Sequence, residues 1–158
     1  MPATIYVGLA VTSHNPSTLA EALMTDVSVE AVAPPALPQG WSSVDIGAGV
    51  LQGSAAHASG VFTIEGAGRD IWGTADELRY TYTQATGDVD IVARVDAIQK
   101  VDAWTKAGVM IRGTLSAGSA QAMMLASPGK GLAYQRRPAD GAASVHTSGG
   151  SGTAPSSS

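Results

Sequence analysis

The chain has no cysteine, a single phenylalanine, and few charges for its length, with 9 Lys and Arg against 13 Asp and Glu in 158 residues. Without cysteine there is no disulfide and no thiolate-ligated metal. The few basic residues are scattered and the net charge is -4. That leaves no electrostatic footprint for a nucleic-acid backbone, so no nucleic-acid partner is expected. No apolar run approaches the ~20 residues of a membrane-spanning helix, so no membrane insertion is expected either. Met1 to Ala3 lead straight into Ile5-Tyr6-Val7, without the basic leader and long apolar core of a signal peptide. Long helical periodicity is missing too, which counts against crossover helices and a parallel α/β sheet.

What is present is 44% hydrophobic residues and 19 glycines, a composition that folds rather than stays disordered. One ordinary domain fits this length, and it is large enough to form a core without covalent staples. Residues 1–30 read as a β-hairpin: Ile5 to Val11 is apolar, Thr12 to Ser17 is a polar loop with Asn15-Pro16, and Asp26 to Val29 alternates. Residues 31–40 form a proline-rich linker around Ala33-Pro34-Pro35-Ala36-Leu37-Pro38. Residues 41–147 are the body, mostly of period two. Strands are expected at Trp41–Ile46, Val61–Glu65, Leu78–Thr83, Asp88–Val95, Ala107–Arg112, Ala120–Ala126 and Leu132–Arg136, with a further one at Ala143–Thr147. Punctuation by Gly and Asx every 8 to 12 residues makes the fold class all-β, a sandwich or barrel. Residues 148–158, rich in Gly and Ser, read as a frayed tail.

Catalytic chemistry finds little support. No serine sits in a nucleophile elbow, and His14, His57 and His146 fall in loop or edge segments. Asp88 and Asp90 could share a strand face as a glycosidase pair requires, yet Asp88 after Gly87 reads more simply as a turn residue. No histidine pair has metal-ligand spacing. Asp70, Asp76, Glu77, Asp88 and Asp90 leave a structural calcium open, since oxygen ligands from loops leave weak traces. Gly47-Ala48-Gly49 and Gly66-Ala67-Gly68 lack the context of a nucleotide fingerprint and read as turns. No cofactor and no catalytic residue are expected.

The tryptophans carry more information. Trp72 and Trp104 each have a carboxylate two residues earlier, Asp70 and Asp102, placing a polar group on the same strand face. Exposed rings stack on flat sugar faces while nearby polar groups bond the hydroxyls. Such aromatics can equally hold a small sandwich together, and their joint exposure decides between the two roles. Trp41 reads as core or lid. Arg112 fits as a sugar-hydroxyl donor or an ion-pair partner, with Asp70 or Asp102 its expected mate.

Three blocks in order resemble a known family: Gly68-Arg69-Asp70-Ile71-Trp72-Gly73-Thr74-Ala75-Asp76-Glu77-Leu78, then Gly87 to Val95, then Asp102-Ala103-Trp104-Thr105-Lys106-Ala107-Gly108-Val109-Met110-Ile111-Arg112. Gly131-Leu132-Ala133-Tyr134-Gln135-Arg136-Arg137 is similar to its next landmark. The family is the secreted bacterial concanavalin A-like repeat module, a laminin-G-like jelly-roll sandwich often attached to glycoside hydrolases. The resemblance implies a non-catalytic, extracellular accessory module binding polysaccharide or glycan surfaces, with neighbouring repeats or a catalytic domain as partners. The hairpin of residues 1–30 is similar to the end of such a repeat, which normally closes the domain. The chain is therefore expected to hold the end of one repeat and a truncated next one, an incomplete or permuted jelly roll whose open strand edges favour self-association.

Overall fold

The computed structural model describes residues 7–29, 36–152 and 156–157. Two units divide between Pro34 and Pro35, inside the proline-rich stretch. In the first unit the hairpin is not paired among the described residues 7–29, while Ile5 and Tyr6 lie outside them. Val7, Leu9, Val11, Val27 and Val29 are exposed. The order there is local: Ser17 N–H donates to Asn15 Oδ1 (2.9 Å), and Ser13 Oγ donates to the Asn15 carbonyl (2.7 Å). Alternation supplies a face but not a surface to bury it on, and an isolated hairpin without one is marginal.

The second unit is all-β. Its strands are β1 (Trp41–Ile46), β2 (Ser54–Ala58), β3 (Val61–Glu65), β4 (Ile71–Trp72), β5 (Ala75–Asp76), β6 (Leu78–Thr83), β7 (Ile98–Gln99), β8 (Ala107–Arg112), β9 (Gln121–Ser127), β10 (Gly131–Arg137), β11 (Val145–Gly150) and β12 (Ser156–Ser157). The largest sheet has the order β11-β10-β9-β8, antiparallel throughout. The pairs β1–β6, β2–β3 and β4–β5 are antiparallel, and β7–β12 is parallel. The core lies between the β1–β6 pair and the four-stranded sheet. Ile46 and Leu78 from one side meet Met110, Met123, Leu125 and Ala133 from the other, with Ile71 of β4 completing the cluster.

Three expectations need correction. Asp88 to Val95 forms no ladder, and Val89, Ile91 and Val92 are exposed. A strand exists only when a neighbour takes its backbone hydrogen bonds, and none of the described residues does so here. The tail enters the sheet: Ser148 and Gly150 pair with Ala133 and Leu132 of β10. Backbone ladders need no apolar side chains, and a Cβ on Gly149 or Gly152 would press within 3.2 or 2.6 Å of Leu132. Thirdly, Arg112 pairs with neither Asp70 nor Asp102 but with Asp76, described next.

Inward positions of the large sheet hold a polar row as well as apolar ones. Arg112, Gln121 and Arg137 occupy one register row across β8, β9 and β10. Asp76 from β5 caps this row and is fully buried, at 0% exposure. Arg137 grips it with both forks, Nη1 to Oδ2 at 2.8 Å and Nη2 to Oδ1 at 2.6 Å. Arg112 Nη1 stands 3.5 Å from Oδ2. One carboxylate thus faces two guanidinium groups, and backbone oxygens collect the remaining donors: Ser119 and Gly73 for Arg137, Thr114 and Ser116 for Arg112. Burial lowers the Arg112 pKa, opposed by the Asp76 charge. The hydrogen bond to Asp76 raises that of Arg137. Both remain cations.

Removing one member of a buried ion pair leaves the other uncompensated, at about 3–5 kcal/mol. Asp76→Ala is therefore expected to cost about that much in urea denaturation, against about 0–1 kcal/mol for Arg94→Ala in the exposed Arg94–Asp96 pair. A second test uses Tyr80, whose hydroxyl donates to the Met110 carbonyl at 3.0 Å. Burial raises its pKa above the ordinary 10.0, although the Arg112 charge pulls the other way. A raised pKa means that stability from the neutral phenol is fully present below pH 10.0 and is lost as pH rises through the folded-state value. Stability followed by circular dichroism should decline in that alkaline window, and Tyr80→Phe should flatten that part of the decline.

Candidate functional site

Trp72 ends β4, and its loop is held from below. Arg137 Nη2 donates to the Trp72 and Gly73 carbonyls, each at 3.3 Å. Ser144, just before β11, donates to the Gly73 carbonyl from both its backbone N–H and its hydroxyl, each at 2.9 Å. The buried Arg137–Asp76 pair therefore also sets the Trp72 backbone.

Trp104 sits in a turn before β8. Asp102 Oδ1 accepts the Trp104 N–H at 2.7 Å, and Thr105 Oγ1 accepts the Asp102 N–H at 2.9 Å. Asp102 is therefore a turn-closing residue in this structure. The turn is pinned to the β9–β10 hairpin through the Ala103 carbonyl, which accepts from Ser127 Oγ (2.7 Å) and the Gly129 N–H (3.2 Å). Gly129 permits that approach, because a Cβ there would lie 2.7 Å from the Cα and Cβ of Ala103.

The two tryptophans converge. Trp72 is 40% exposed and Trp104 is 44% exposed. The His146 ring stands between them, edge-on, with centroids 6.5 Å from Trp72 and 6.3 Å from Trp104. Lys106 Nζ lies 6.0 and 5.8 Å from the same two ring centroids, and Lys130 Nζ lies 5.2 Å from that of Trp104. The Lys106 side chain is 6% exposed and ion-pairs with Asp70. It also donates to the Ile71 carbonyl and to Gln135 Oε1, both at 3.1 Å. Gln135, buried in β10, then reaches His146 Nδ1 at 3.2 Å through its Nε2. Asp70, Trp72, Trp104, Lys106, Gln135 and His146 all border one open depression of the surface.

Of the five residues singled out by sequence, Trp72, Trp104 and Asp70 come together. Asp102 is adjacent but committed to its turn, and Arg112 is buried in the Asp76 cluster. Lys106, Gln135 and His146 were missed. The available signal was Gln135 itself, a polar residue at an inward position of the alternating β10. Among the acids considered for calcium, Asp76 is engaged by Arg137, and no group of three or more His, Asp or Glu converges among the described residues.

Gly129→Ala must displace the Ala103 backbone. The expected cost is about 1–3 kcal/mol, with a shift in tryptophan fluorescence as the Trp104 turn moves, measured by thermal melting and emission spectra. Comparison with known proteins gives no match to a family model, to a curated protein or to a solved structure.

Proposed function

We propose that the second unit is a non-catalytic carbohydrate-binding module of an extracellular bacterial protein, built as a concanavalin A-like jelly-roll sandwich and contacting polysaccharide through Trp72 and Trp104. One observation carries this reading: both indoles are half-exposed on the wall of the same depression, around one imidazole. Rings that serve only as core are covered, whereas rings that stack on sugars stand open beside polar groups. The apolar contact between the β1–β6 pair and the four-stranded sheet supports a sandwich.

The neighbouring acids favour binding over hydrolysis. Asp70 is taken by Lys106 and Asp102 by the Trp104 amide, so neither is poised as general acid or nucleophile. Neighbouring repeats or a catalytic domain are the partners this role calls for, and the edge of β8, unpaired among the described residues, suits self-association.

Calorimetric titration against soluble glucans, xylans, mannans and N-acetylated glycans tests the reading. Binding to at least one is expected, weakened about tenfold or more in Trp72→Ala and in Trp104→Ala while the cooperative melt persists. A folded protein that binds none of them would be a spacer module instead.

A further inference from the structure

The hydrogen-bond chain behind the tryptophans fixes the chemistry of the histidine between them. Lys106 Nζ can only donate. Its bond to Gln135 therefore assigns the amide oxygen to the lysine side and the amide NH2 to the His146 side. The reverse orientation would set two donors against each other. Because Gln135 Nε2 donates, His146 Nδ1 must accept, and a neutral imidazole accepting at Nδ1 carries its proton on Nε2. Gln135 and His146 are direct register partners on β10 and β11, so the ladder holds the two side chains opposite each other. Lys106 is anchored in turn by Asp70 and the Ile71 carbonyl. No described residue bonds to His146 Nε2, and His146 itself is exposed.

We propose that His146 is the directional contact of the site, a fixed Nε2–H donor between Trp72 and Trp104 that takes an acceptor oxygen of the bound sugar. Gln135 and Lys106 are positioning residues that set its tautomer. The inference rests on the carbohydrate-binding reading above and deepens it: the tryptophans supply area, while His146 supplies orientation. The ligand class follows. The sugar at this subsite presents a hydroxyl, ring or acetamido oxygen. An amino sugar presenting an ammonium there meets a donor, with the Lys130 charge close by, and is rejected.

Two measurements test this on the full chain. Nitrogen-15 NMR of the imidazole at mildly alkaline pH should show the Nε2–H tautomer. Gln135→Glu, whose carboxylate only accepts, should move the proton to Nδ1 and weaken binding of the best glycan about tenfold. His146→Phe keeps a ring between the tryptophans and should lose a similar factor. An Nδ1–H tautomer in the wild-type chain would overturn the relay. Unchanged affinity in His146→Phe, with Trp72→Ala and Trp104→Ala still impaired, would overturn the contact while leaving the carbohydrate reading intact. Wild-type protein that binds no glycan overturns that reading and the contact with it, and the tautomer then decides the relay alone. Within N-acetylglucosamine oligomers, tighter binding of the de-acetylated, cationic form would refute the stated selectivity.

Discussion

The second unit depends on one carboxylate. Asp76 stands over a row of cationic side chains in the floor of the large sheet, and without it Arg112 and Arg137 would be two buried like charges on neighbouring ladders. Isolated charges in a low-dielectric interior are costly, so the geometry must be good for the arrangement to persist. It is: the Arg137 fork meets both carboxylate oxygens, and six backbone carbonyls from two segments, Trp72–Gly73 and Thr114–Ser119, accept what remains. An apolar core of seven residues cannot itself specify how those segments lie. The ion cluster does, because donors and acceptors pair at fixed angles whereas methyl groups do not.

That cluster is continuous with the site. Arg137 grips the carbonyls of Trp72 and Gly73, and Ser144 grips Gly73 again just before β11 begins. Two positions before Arg137 on β10, and so on the same face, Gln135 reaches His146. The strand β10 thus carries the Arg137 cation and the Gln135 amide in successive inward positions. The interior of the second unit combines this polar cluster with an apolar one. The polar cluster aligns the elements that hold one indole and one imidazole in place.

Much of this was legible in the sequence, and the failures have physical causes. Strands β1, β6, β8, β9 and β10 follow from period two and bounding glycines, because each buries one face against the core; β3 has the same alternation and pairs with β2, although its residues are exposed. The short strands β4, β5 and β7 have two residues each, too few for any period. In β2, Ser54–Ala58, small side chains blur the contrast between faces. Asp88 to Val95 had the pattern without a partner among the described residues, whereas β11 was expected over Val145–Thr147 and its Ser148–Gly150 end had a partner without the pattern. Pairing is a property of two segments, and a single segment records only half of it. At the candidate site, an aspartate two residues before each tryptophan drew attention to two loops that the fold brings together around His146. The same logic misassigned Arg112, because its mate Asp76 lies in a segment whose approach is set by the sheet rather than by local spacing.

β11 is an edge strand in which all six residues are exposed, four of them Ser, Thr or Gly, besides Val145 and His146. With almost no apolar area to bury, it is retained by main-chain bonds to β10, and such strands open at low free energy compared with the core beneath them. His146 is therefore mounted on a strand whose amide hydrogens are expected to exchange earlier than those around Gln135. A ligand spanning Trp72, His146 and Trp104 would tie the loose strand to two pinned loops. Binding at this site should accordingly be felt as slower hydrogen exchange along β11, with part of the gross contact energy consumed in ordering it.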